Sequence, residues 1–175
     1  NWCEMVIGDL LKNSAERHPN KTAIILGAFK ASFRELNEAS NKIANALLKE
    51  KLPNNTNLAI LSSNQFDYPA IYFGAAKSGQ VLAHLSSRFT NDELLNVVNK
   101  TDIAAIFVHI DLLENFLSIK DKIPNVSRVI VFGGAKPEKG DLCSLEEFIE
   151  KASANEPEVS IDATDAFAIT YTGGT

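Results

Sequence analysis

The residues best suited to chemistry are the last five, Tyr171-Thr172-Gly173-Gly174-Thr175. They follow the apolar run Ala166-Phe167-Ala168-Ile169, which reads as a buried β-strand. A strand that runs into hydroxyls and paired glycines suits a phosphate. Glycine lets backbone approach an anion closely, and loop N–H groups can then point at its oxygens. The threonine hydroxyls add donors or a metal ligand. The same pentapeptide also reads as a Gly-Gly turn that closes a strand. Neither Gly-x-x-x-x-Gly-Lys-[Ser/Thr] nor Gly-x-Gly-x-x-Gly occurs in the chain, which excludes a Walker loop and a dinucleotide fingerprint.

Other reactive side chains form no pattern. His18, His84 and His109 are scattered without ligand spacing, which argues against a zinc site. Cys3 and Cys143 are far apart and outside any Cys-x-x-Cys, so they read as reduced, incidental thiols of a cytoplasmic protein. The charge of 17 basic against 22 acidic residues, a net of -5, argues against a nucleic-acid partner. The start, Asn1-Trp2-Cys3-Glu4, lacks the basic region of a signal peptide, and no apolar run is long enough for a transmembrane segment. With 45% apolar residues in 175, the chain has enough material for one packed core.

The elements that must position the C-terminal loop follow from periodicity. Ile7 to Arg17 reads as an amphipathic helix. Thr22 to Leu26 and Phe29 to Ala31 read as a small hairpin turning at Gly27-Ala28. Ser32-Phe33-Arg34-Glu35 is a capping box, and its helix should run to about Glu50. From there strand and helix alternate. Leu58 to Leu61 is a strand and Phe66 to Ser78 a helix closed by Gly79. Val81 to Ala83 is a strand, and Thr90-Asn91-Asp92-Glu93 caps the next helix. Ile103 to Val108 is a strand, Asp111 to Lys122 a helix and Arg128 to Phe132 a strand. Gly133 to Asp141 is a loop, and Ser144-Leu145-Glu146-Glu147 caps a short helix. Asn155 to Glu158 reads as a solvated acidic connector into the last strand. The alternation predicts an α/β fold: a doubly wound, mostly parallel sheet flanked by helices, with a small N-terminal hairpin.

In this order the features resemble the N-terminal domain of the AMP-forming adenylating enzymes, which include acyl-CoA ligases, peptide-synthetase adenylation domains and luciferases. Ser32-Phe33-Arg34-Glu35-Leu36 is similar to the family's Thr-Tyr-x-Glu-Leu, and Ala75-Ala76-Lys77-Ser78-Gly79 to its Leu-Lys-Ala-Gly. Arg88-Phe89-Thr90-Asn91-Asp92-Glu93-Leu94 is similar to its Arg-Leu-Thr-x-x-Glu-Leu. Tyr171 to Thr175 matches the first half of its phosphate loop, and Gly173 resembles the form found in bacterial long-chain fatty-acyl-CoA ligases. After Gly79 the family's Val-Pro-Leu-Asn-Pro-Arg is replaced by Ala83-His84-Leu85-Ser86-Ser87-Arg88. His84 there reads as a packed strand-end histidine, Arg88 as a solvated or ion-paired arginine, and Asn64 as a helix N-cap.

The resemblance implies that residues 1–175 are the N-terminal portion of an AMP-binding domain, cut within the phosphate loop. It implies a ligase that uses ATP and Mg²⁺ to activate a carboxylic acid, in this case a fatty acid, and then transfers it to CoA. Thr172, Gly173, Gly174 and Thr175 would hold the β,γ-phosphates. The family's catalytic residues would lie beyond Thr175, so the chain alone is expected to be inactive. Two other readings stand beside this one: an adenylation domain for an amino or aryl acid, and a non-catalytic nucleotide- or partner-binding module.

Overall fold

The computed structural model describes residues 5–134 and 142–171. Helix α1 spans Ile7–Arg17 and the antiparallel pair β1 (Thr22–Leu26) and β2 (Phe29–Ser32) follows it. The main sheet is built from β3 (Asn57–Leu61), β4 (Val81–Leu85), β5 (Ala105–His109), β6 (Arg128–Phe132), β7 (Leu142–Ser144) and β8 (Ala168–Thr170). All its pairings are parallel, in the order β7-β6-β5-β3-β4-β8. The helices are α2 (Phe33–Lys49), α3 (Tyr68–Lys77), α4 (Asn91–Lys100), α5 (Leu113–Leu117) and α6 (Leu145–Ile149).

Both faces of the sheet are covered. On one face Leu94 and Val98 of α4 and Leu113 and Phe116 of α5 pack on Ala59, Leu61, Ile106 and Val108. On the other, Leu11 of α1, Ile43 and Leu47 of α2 and Ile71 of α3 pack on Leu58, Ile60, Leu82 and Phe107. Alternate residues of one strand thus enter opposite cores, which is why these strands are apolar throughout. The layout is the doubly wound sheet expected from the alternation.

Three caps form as read. Ser32, Thr90 and Ser144 each accept from the N–H three residues on, at 3.3, 3.3 and 3.1 Å. Helices α2 and α3 cross closely because Gly74 faces Ile43. A Cβ at Gly74 would lie 2.6 Å from Ile43 Cγ2.

Other boundaries differ from expectation. Asn64 is not an N-cap: α3 begins at Tyr68, and its N-cap residue is Asp67. Pro69, which lacks an N–H, is tolerated only in a first turn and so fixes that start. The single helix expected over 111–122 is broken into a 3₁₀ turn at Ile110–Leu112, the short α5 and a second 3₁₀ turn at Lys120–Lys122. His109 Nδ1 takes the Asp111 N–H at one end, and Ser118 Oγ donates to the Asn115 carbonyl at the other. Such local bonds compete with the helix ladder. The three-residue strand β7 lies where only a cap had been read, and β8 begins two residues later than expected.

Candidate functional site

A parallel sheet puts the carboxyl ends of all its strands on one edge. Here that edge carries Ser62 to Asn64 after β3, Ser86 to Arg88 after β4, Ile110 after β5, Gly133 and Gly134 after β6, and Tyr171 after β8. Ligands of open α/β sheets bind at this edge. The proposed phosphate residues Thr172, Gly173, Gly174 and Thr175 lie outside the described residues, immediately beyond Tyr171.

Strand β8 sets where that sequence starts. It pairs with β4 as Leu82↔Ala168, Ala83↔Ile169 and His84↔Thr170. Tyr171 leaves the sheet beside Phe89, ring centroids 6.5 Å apart, and its hydroxyl hydrogen-bonds Thr101 Oγ1. His84, beside Thr170, hydrogen-bonds the Tyr68 hydroxyl through Nδ1 at 2.6 Å and stacks on that ring. Burial pushes the His84 pKa down and the Tyr68 pKa up, so the pair is neutral at neutral pH. His84 is therefore the packed strand-end residue expected. Arg88 is exposed, and its backbone N–H donates to Ser86 Oγ at 3.2 Å.

At the end of β5, His109 is buried against Phe132 and Gly133. Gly133 has φ +81°, and a Cβ there would meet His109 Nε2 at 2.1 Å, so both backbone and space demand glycine. Asp67 stands at the start of α3. Burial pushes its carboxyl pKa up, and the Glu146 charge adds to that. Among the described residues no three His, Cys, Asp or Glu side chains come together to hold a metal ion. No helix among them is long and apolar enough to cross a membrane.

The densest polar cluster is one that periodicity did not reveal. Lys77, at the end of α3, donates to Asn37 Oδ1 at 2.8 Å, Asn41 Oδ1 at 2.7 Å and Glu156 Oε2 at 2.7 Å. Asn37 and Asn41 in turn donate to Glu156 Oε1 at 2.7 and 3.1 Å. The ring is closed and each member is satisfied. Burial pushes the Lys77 pKa down and Glu156 pulls it partly back. Its three acceptors match the three protons of an ammonium, and we read it as charged at neutral pH. The 155–158 connector is thus not a free acidic surface. A lysine placed among the small apolar residues of a buried helix was the one signal in the sequence.

One cavity adjoins this cluster and another lies apart from it. An apolar one of about 310 Å³ is lined by Leu10, Ala76, Gln80, Ile161 and Phe167, and a polar one of about 360 Å³ adjoins Lys12 and Lys77. Gln80 and Phe167 precede β4 and β8, so the apolar cavity opens at the amino edge of the sheet, opposite Tyr171. The hydroxyl- and glycine-rich sequence follows β8 instead, at the opposite edge.

The parallel sheet covered by helices on both faces is the layout of a doubly wound α/β domain. The model of the AMP-binding enzyme family matches residues 11–175, and the chain belongs to that family. The chain is 33% identical over 146 residues to long-chain fatty acid transport protein 6 of Mus musculus, covering 83% of this chain and 23% of that protein. It is 21% identical over 171 residues to the medium/long-chain-fatty-acid–CoA/3-oxocholest-4-en-26-oate–CoA ligase of Mycobacterium tuberculosis, covering 97% of this chain and 31% of that protein. The chain thus spans about a quarter to a third of the length of these relatives. The anthranilate CoA ligase AuaEII, solved with anthranoyl-AMP, shares the fold at TM-score 0.91 and 19% identity, over 98% of this chain and 33% of that one. The long-chain-fatty-acid-CoA ligase FadD1 of Archaeoglobus fulgidus does so at 0.85 and 23%, over 98% and 35%.

Proposed function

We propose that residues 1–175 are the N-terminal portion of the adenylate-forming domain of an AMP-forming acyl-CoA ligase, and that the longer protein activates a fatty acid. The match of the family over residues 11–175 carries this reading. The fatty-acid assignment draws support from the names of the mouse and mycobacterial relatives. In the reaction a carboxylate attacks the α-phosphate of ATP, giving acyl-adenylate and pyrophosphate. The CoA thiol then attacks the acyl carbonyl and expels AMP. Thr172, Gly173, Gly174 and Thr175 would contribute N–H and hydroxyl donors to the β,γ-phosphates. That is a binding role, and no nucleophile is assigned within the chain. Among the described residues no three His, Cys, Asp or Glu side chains come together, and Mg²⁺ would enter with the ATP phosphates and offset their charge.

The test is ATP–pyrophosphate exchange by the full-length protein. Thr172→Ala and Thr175→Ala each remove a donor to a charged acceptor, so exchange should fall roughly ten- to hundredfold. Exchange at the wild-type rate in both variants contradicts the phosphate role.

A further inference from the structure

The connector from α6 to β8 is irregular yet tied down at both of its ends. Four residues of α2 at successive i, i+4 positions hold its first part. Lys49 Nζ donates to the Lys151 carbonyl at 2.6 Å. Asn45 Nδ2 donates to the carbonyls of Ser153 and Asn155, both at 2.9 Å. Asn41 Nδ2 donates to the Ala154 carbonyl at 3.0 Å, and Asn37 Nδ2 reaches Glu156 at 2.7 Å. The segment therefore runs antiparallel to α2, read by amide side chains along its backbone. Lys77 closes the row from α3, with the stem of its side chain against Gly8 of α1. Farther on, Asn55 Nδ2 donates to Asp165 Oδ1 at 3.2 Å, and the Leu82 N–H to the Phe167 carbonyl at 3.0 Å. Strand β8 begins at the next residue. It has only three residues, and among the described strands it pairs with β4 alone. So short an edge strand has little ladder of its own, and its docking depends on the chain that leads to it.

We propose that Asn37, Asn41, Asn45, Lys77 and Glu156 are positioning residues for the phosphate loop. They clasp the connector to α2 and α3, and through it hold β8, which that loop follows in sequence, against β4. They act through β8 and not on the nucleotide. The inference rests on the phosphate role given above to Thr172 to Thr175.

Amide hydrogen exchange and steady-state kinetics of the full-length protein test it in Glu156→Gln and Asn45→Ala. Asn45→Ala removes two exposed hydrogen bonds and leaves the core whole, so it decides the matter if Glu156→Gln does not fold. Peptides covering 81–85 and 167–171 should exchange about fivefold faster, with β5 and β6 unchanged. KM for Mg-ATP should rise about fivefold while kcat stays within about twofold, since alignment of the phosphates is lost and the reacting groups are not touched. A merely structural role would lower the active fraction, reducing apparent kcat with KM unchanged, and that outcome overturns the proposal. Unchanged exchange at 167–171 overturns the clasp. Faster exchange with unchanged KM overturns its link to the loop. If the wild type shows no ATP-dependent activity with any acid, the ligase reading fails, and hydrogen exchange still decides the clasp.

Discussion

Lys77 Nζ lies 2.7 Å from Glu156 Oε2, with the lysine side chain 3% exposed and the glutamate 36% exposed. The asymmetry decides which partner depends on the other. Glu156 can turn to water if Lys77 is lost. Lys77 cannot, because α1, α2 and α3 enclose it.

Removing the glutamate should therefore be the costlier change. Glu156→Ala strands a buried ammonium and should destabilise the protein by about 3 kcal/mol. Lys77→Met leaves a carboxylate that water can reach, and should cost about 1–2 kcal/mol. In Lys77→Met/Glu156→Ala the loss should be smaller than the sum of the two. Urea denaturation gives all the values, and strict additivity would show that the two side chains do not interact.

The same pair predicts an acid-sensitive window. Burial raises the Glu156 pKa, but hydrogen bonds from Lys77, Asn37 and Asn41 outweigh it and bring the net value below the ordinary 4.5. A carboxyl with a depressed folded pKa stabilises fully above its unfolded value and loses that contribution as pH falls through the folded one. Charged Lys12 and Asp9 of α1 also face Lys77, with opposite effects on it. Wild-type stability should thus fall as pH drops below about 4.5, and Glu156→Gln should flatten that fall. Parallel slopes for the two proteins between neutral pH and pH 3 would contradict the assignment.

Gly133→Ala should destabilise by about 1–3 kcal/mol, through the contact with His109 and the positive φ. His109→Ala added to it should recover the steric part and leave the backbone part. Thermal melts of the single and double variants separate the two. No recovery would place the whole penalty in the backbone.

Each capping box should behave as a local unit. Ser144→Ala should cost about 1 kcal/mol, lowering the denaturation midpoint at constant m. An unchanged midpoint would count against the cap.

Much of this fold was legible because it is written in short-range pattern. The bounds of α1 and β6, the hairpin turn and the three caps depend on residues within a few positions of one another. The clasp was not legible for the opposite reason. Asn37, Asn41 and Asn45 look like the polar face of an amphipathic helix, and their partners on the connector lie more than 100 residues away. Glu156 read as a solvated acid because sequence gives a charge but not the cation waiting for it. The site was legible only as a motif after a strand. The structure adds the register of that strand on β4 and the neutral His84–Tyr68 pair beside it.

The most direct measurement is ATP–pyrophosphate exchange by the wild-type full-length protein, run in parallel with fatty, aryl and amino acids. The account predicts Mg-ATP-dependent exchange that long-chain fatty acids support and amino acids do not. Exchange supported by amino or aryl acids and not by fatty acids would contradict it.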